Sequence, residues 1–131
     1  MLKYTQVALD FMNRDHAEFV ALSERLLALL TQQQVETEVD ALLDQLMEHT
    51  RHHFSEEERQ MQATHFTPYR MHKGEHDHVL SALEEHIALW RQGRDAAHLR
   101  AVIESTLNSW FVNHVNTMDF VTANFIAQAK S

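Results

Sequence analysis

Five histidines and two carboxylates in this 131-residue chain fall at spacings that let seven metal ligands converge on one point. In chain order they are His16, then His53 with Glu57, then His72 with His76, then His114 with Asp119. Side chains four apart lie on the same helix face, roughly 5–6 Å between Cβ atoms. Imidazoles and carboxylates, with no cysteine in the chain, form a donor set for borderline first-row metals, and seven donors suit two ions. Each piece alone has an ordinary explanation. A lone His16 on an apolar stripe can be a hydrogen-bonded core residue, His53 and Glu57 can be a helical ion pair, and His49 with His53 repeats the spacing of His72 with His76. The combination is harder to explain away. Burying five imidazoles and two carboxylates without metal would leave polar groups unpaired, at roughly several kcal/mol in total. A metal satisfies all seven, keeping the histidines neutral and the acids ionised.

The elements that must position these residues follow from composition and periodicity. Gly occurs twice and Pro once, which argues for long helices with short connections in one domain spanning residues 1–131. A short N-terminal arm runs to about Met12, with Asn13 as the expected cap of the first helix and Asp15 favouring its positive end. That helix carries His16, Phe19, Val20, Ser23, Leu26, Leu27 and Leu30 on one stripe. Gln32-Gln33-Gln34 is a polar link. The second helix starts near Glu36, turns Val39, Leu42, Leu46, His53, Glu57 and Met61 inward, and frays before Pro68. Thr67-Pro68 reads as cap and first residue of the third helix, whose stripe is His72, His76, Val79, Leu80, Leu83, Ile87 and Trp90, ending at Gly93. Asp95 is the expected cap of the fourth, which carries Leu99, Val102, Ile103, Leu107, Trp110, His114, Met118, Val121 and Phe125.

The expected fold is all-α, an antiparallel up-down four-helix bundle with a short N-terminal arm. Its alternating directions bring all four ligand sets to the same end. His16 and the His72/His76 pair sit near helix starts, while His53/Glu57 and His114/Asp119 sit in second halves. His114 and Asp119 are five apart, a rotation of roughly 140° on an ideal α-helix. Either they approach from different sides of the seam, or a π-bulge aligns them; an unbroken i→i−4 ladder would exclude the bulge.

The net charge of −8 argues against nucleic acid and against an anionic membrane surface. No apolar run approaches the roughly 20 residues of a membrane span. Without cysteine there are no disulfides or iron–sulfur clusters, and this fits a cytoplasmic protein. Of the six other histidines, His49, His52, His65, His78, His86 and His98, none is assigned to metal, and His52, His65, His86 and His98 read as surface residues.

The set His16, His53-Phe54-Ser55-Glu56-Glu57, His72-Lys73-Gly74-Glu75-His76 and His114-Val115-Asn116-Thr117-Met118-Asp119 resembles the hemerythrin pattern of bacterial hemerythrin-like proteins, from about Met12 to Phe125. The resemblance implies a non-haem di-iron centre. His72, His76 and His114 would bind one iron and His16 and His53 the other. Glu57 and Asp119 would bridge both, with an oxo or hydroxo group as third bridge. That leaves one open position, on the second iron, for dioxygen, with Trp110 and Phe111 as an apolar wall around the ligand. Two departures stand out. The arm lacks the aromatic-rich segment of many relatives, and Thr122 stands where many members place an aromatic three residues after the bridging aspartate.

The resemblance thus implies a non-enzymatic protein for dioxygen carriage, storage or sensing, with no protein partner indicated. The alternatives are a di-iron oxidase, peroxidase or iron-handling protein using the same centre, and an interaction module holding zinc. A pair of Glu-x-x-His motifs would mark ferritin-like chemistry, and Glu75-x-x-His78 is the single match. Zinc prefers closed four-coordinate sites, fewer donors than are gathered here.

Overall fold

In a computed structural model, residues 2–32 and 36–130 are described. Three unbroken helices come first: α1 (Asp10–Thr31), α2 (Glu36–Ala63) and α3 (Tyr69–Gly93). The fourth rod is continuous but not uniform. It runs through α4 (Ala96–Ala101), a π-helical stretch (Val102–Leu107), α5 (Asn108–His114), a second π-helical stretch (Val115–Asp119) and α6 (Phe120–Lys130). Gln33 and Gln34 of the expected polar link lie outside the described residues.

Side-chain ties fix the directions. Asp40 accepts from Trp90 and Arg94, Asp44 from Arg91, and Glu84 from Arg51, so α2 ascends as α3 descends. Between α1 and the fourth rod, Ser23 donates to Asn108 at 3.0 Å and His16 meets Asp119 at 2.9 Å, again antiparallel. The expected bundle is therefore the observed one. Its stripes pack Leu26, Val39, Leu43, Leu46 and Ile103, all fully buried, into the half remote from the ligands. A smaller cluster of Met61, Phe66 and Ile126 closes the opposite end. The polar cluster lies between them, inside a core that would otherwise be hydrocarbon. No helix among the described residues is long and apolar enough to cross a membrane.

The inner face of the last rod differs from expectation. Met118, Val121 and Phe125 do not lead inward: Val121 is 56% and Phe125 38% exposed, while Asp119, Thr122, Ala123 and Ile126 are buried. The offset is one residue. A π turn spends one more residue than an α turn, so every later side chain rotates by one position. This bulge is one of the two resolutions that the spacing of His114 and Asp119 allowed, and Phe120 N–H reaches the carbonyl of Val115 across it. The π stretch at Val102–Leu107 was not expected.

Helix ends differ in detail. α1 begins at Asp10, earlier than expected, and Leu9 precedes it without a side-chain cap. Asn13 instead clasps the arm, accepting from Val7 N–H at 2.8 Å and donating to Val7 carbonyl at 2.9 Å. α3 begins one residue late, with Pro68 in the cap position. Gly93 is its last residue, but the left-handed cap is Arg94 at φ 50°, tied to Asp40. Asp95 caps α4 as expected, accepting from His98 N–H at 3.0 Å.

Candidate metal centre

All seven sequence-derived ligands come together, and all are buried: His16, His53, Glu57, His72, His76, His114 and Asp119. Their donor atoms form two groups. Glu57, His72, His76, His114 and Asp119 lie within 4.8 Å of one another, as do His16, His53, Glu57 and Asp119. The carboxylates belong to both, and each divides its oxygens between them. Glu57 turns Oε1 to Nε2 of His72 (3.3 Å) and His76 (3.2 Å), and Oε2 to Nε2 of His53 (2.5 Å). Asp119 turns Oδ1 to Nε2 of His72 and His114, both 3.1 Å, and Oδ2 to Nε2 of His16 (2.9 Å). One group thus holds three imidazoles, the other two.

Five Nε2 atoms aimed at two buried carboxylates is an arrangement that lacks something. Both Glu57 oxygens, Asp119 Oδ1 and Nε2 of His53 and His76 face one another at ion-pair distance but none makes a hydrogen bond of good geometry. Leaving so many buried polar atoms unmade costs about 1–3 kcal/mol each. His72 and His114 also bring their Nε2 atoms within 3.2 Å, so two lone pairs would face each other unless a proton or a cation intervenes. A cation in each group satisfies these atoms together, so the donor set fits two metal ions.

The imidazoles are held from behind, through Nδ1. Asp15 of α1 takes His53 of α2 (2.8 Å), Glu58 of α2 takes His76 of α3 (2.9 Å), and Glu75 of α3 takes His114 of α5 (2.7 Å). Thr122 of α6 closes on His72 at 2.8 Å. Each acid adjoins a ligand on its own helix yet orients a ligand on the next. Outer partners of this kind fix the ring and raise its basicity as a ligand. His16 differs: its Nδ1 is buried without a partner, and its ring meets Phe111 edge-on at 5.6 Å and Tyr4 of the arm at 6.2 Å. Spacing had not revealed the three acids, because their partners lie on other helices; adjacency to a ligand was the available signal.

The electrostatics follow. Burial alone would lower the His53 imidazole, but Glu57 and Asp15 outweigh it and raise it to about 10. His72 is likewise lowered by burial but lifted to about 9 by Asp119 and Glu57. Burial would raise Glu57, yet its histidine neighbours hold the carboxyl well below the usual range. Asp119 is pushed up by burial and by Glu57, and His114 and His16 bring it down in the balance.

Beside the two-histidine group lies a cavity of ≈ 20 Å³. That admits about one water-sized molecule. Phe19, Phe54, Trp110 and Phe111 line it with His16 and His53, so both residues expected as an apolar wall are at the cavity. Phe111 stacks on Phe19 at 4.5 Å, Trp110 on His114 at 4.6 Å and Phe54 on His76 at 3.8 Å, packing the rings of wall and ligands together. His49 also borders the cavity, with Nε2 donating to the Asp15 carbonyl at 3.0 Å. His52, His65, His78 and His98 are exposed, whereas His86, expected at the surface, is half-buried with its ring 6.1 Å from that of His98.

Comparison with known proteins agrees with this geometry. The hemerythrin HHE cation binding domain matches residues 7–126. The bacteriohemerythrin of Aquifex aeolicus is 30% identical over 121 residues, covering 92% of either chain. That of Ralstonia nicotianae is 37% identical over 93 residues, 71% of this chain and 66% of the relative. No solved structure matches. Matched along nearly its whole length, the chain belongs to the hemerythrin HHE cation binding domain family.

Proposed function

We propose that this chain holds two iron ions and binds dioxygen reversibly, as a carrier, store or sensor rather than an enzyme. The observation that carries the reading is the division of each carboxylate between two unequal histidine groups. His72, His76 and His114 would hold one iron, His16 and His53 the other, and Glu57 and Asp119 would bridge them. A bound iron pair with an oxo or hydroxo bridge would supply two electrons and one open coordination position. The two-histidine group is one protein donor short of its neighbour, and it is the group beside the small cavity. Phe19, Phe54, Trp110 and Phe111 wall that cavity with hydrocarbon, and an apolar wall favours return of an intact ligand over its breakdown. Asp15, Glu58, Glu75 and Thr122 hold the rings so that little reorganisation accompanies binding. The names of the two relatives support the family's chemistry for this chain. Reducing the purified protein anaerobically and admitting oxygen in a stopped-flow spectrometer tests the reading. A new absorption band that fades when oxygen is removed supports it. Irreversible bleaching with release or consumption of peroxide would instead indicate an oxidase or peroxidase.

A further inference from the structure

Outside the seven, one further group of metal-binding side chains comes together among the described residues: Asp15 and Glu18 of α1 with His49 of α2. Each offers a donor atom within 4.8 Å of the other two. Asp15 and Glu18 are three apart on α1 and share a face, while His49 stands one turn before His53 on α2. The trio is thus built on the same two helices as the two-histidine group. Glu18 is exposed, whereas Asp15 and His49 are half-buried, so the group runs from solvent into the bundle.

The hydrogen bonding of His49 decides which of its nitrogens is a ligand. Nε2 lies 3.0 Å from the main-chain carbonyl of Asp15. A carbonyl only accepts, so Nε2 carries the hydrogen and the neutral ring has its lone pair on Nδ1. Nδ1 lies 3.4 Å from Glu18 Oε2, so lone pair faces lone pair unless a positive charge comes between. Asp15 gives Oδ2 to His53, and an ionised carboxylate has lone pairs left for a second partner. One imidazole nitrogen and two carboxylates, completed by water, are a donor set for Fe(II), Mn(II) or Zn(II).

A second observation gives this group a direction. Asp15 and His49 line the same ≈ 20 Å³ cavity as His16 and His53. His53 is 6% exposed, and its Nε2 makes no hydrogen bond of good geometry. The outer trio and the two-histidine group therefore border one cavity, and Asp15 belongs to the first while holding a ligand of the second.

We propose that Asp15, Glu18 and His49 form an outer site for a divalent first-row cation, from which ferrous iron passes to the two-histidine group. The outer site stands on its own three donors; the transfer rests on the reading of an iron pair at the centre. Glu18 takes the ion from solvent, and His49 Nδ1 and Asp15 replace part of its water before it reaches His53.

Mn(II) is the probe for the outer site, added to the iron-loaded full chain and followed by loss of the free-ion electron paramagnetic resonance signal. One further ion per chain is expected. Glu18→Gln and His49→Gln should each weaken it at least about tenfold, while Glu38→Gln, in the first turn of α2, should not. Glu18 is exposed, and in His49→Gln the amide can still donate to the Asp15 carbonyl, so circular dichroism of both should match the unsubstituted chain. Transfer is read separately, as the rate at which metal-free chain takes ferrous iron out of reach of a chelator without oxygen. Glu18→Gln and His49→Gln should slow it at least about threefold and leave the final metal content unchanged. Absence of Mn(II) uptake, uptake equal in the unsubstituted chain and both variants, or loading at an unchanged rate in both would overturn the proposal. Mn(II) uptake sensitive to both substitutions in a chain that holds no iron pair would instead strike the reading of the centre and leave the outer site standing.

Discussion

Stripped of metal, this bundle should lose stability as pH rises from 7 to 9. The two groups responsible are His53, held at about 10, and His72, held at about 9, against an ordinary value of 6.5. Both folded values are raised, so the folded chain keeps protons that the unfolded chain has released. Their stabilisation is complete below pH 6.5 and disappears as pH climbs through 9 and 10. Each retained proton costs about 1.4 kcal/mol per pH unit, so the pair contributes at most about 3 kcal/mol per unit in this interval. Over two units that is on the order of 5 kcal/mol, comparable to the entire stability of a small domain. Urea unfolding followed by circular dichroism at pH 7, 8 and 9, in the presence of a chelator, measures it. The metal-loaded protein serves as comparison, because imidazoles acting as ligands carry no proton at Nε2 and the slope should vanish. Glu57→Gln in the metal-free chain removes the leading attraction on His53 and should flatten the dependence. An unfolding midpoint equal at pH 7 and 9, or the same slope with Glu57→Gln, would refute the electrostatic reasoning.

Further expectations concern individual residues. Glu57→Ala should leave a folded helical protein whose metal content drops from two ions per chain to one or fewer, by elemental analysis, while His86→Ala keeps both. Asp15→Asn should weaken metal retention at the two-histidine group about 10- to 100-fold in a chelator competition, since the acceptor behind His53 loses its negative charge. Phe111→Ala removes the ring between Phe19, Tyr4 and His16, and should cost about 3–5 kcal/mol in denaturant unfolding. Asn13→Ala releases the arm at Val7 and should speed proteolytic cleavage before Asp10 with little change in melting temperature.

The seven clustered residues were legible because a helix converts sequence spacing into a face, and because alternating helix directions bring four such faces to one height. His53 with Glu57 and His72 with His76 needed nothing more. His114 with Asp119 left two readings open, approach from different sides of the seam or a departure from α geometry, and the π turn at Val115–Asp119 is the second of these. What α periodicity cannot do is continue correctly through that departure: extended past it, the pattern turned Val121 and Phe125 inward, although Thr122 and Ile126 hold those places. The stretch at Val102–Leu107 left no comparable sign, since no pair of polar ligands straddles it. Asp15, Glu58 and Glu75 were hidden for another reason. Each looks like a helical surface acid beside a ligand, and only packing reveals that it serves the neighbouring helix. Asn13 illustrates the same ambiguity, for the groups that make an asparagine a good cap also let it clasp a passing strand of backbone.

The centre itself is tested most directly by iron anomalous diffraction from crystals of the loaded protein. Two peaks per chain are expected, one among His72, His76 and His114, the other between His16 and His53, with Glu57 and Asp119 reaching both. A single peak, or a peak bound by only one of the two carboxylates, would contradict the dinuclear account.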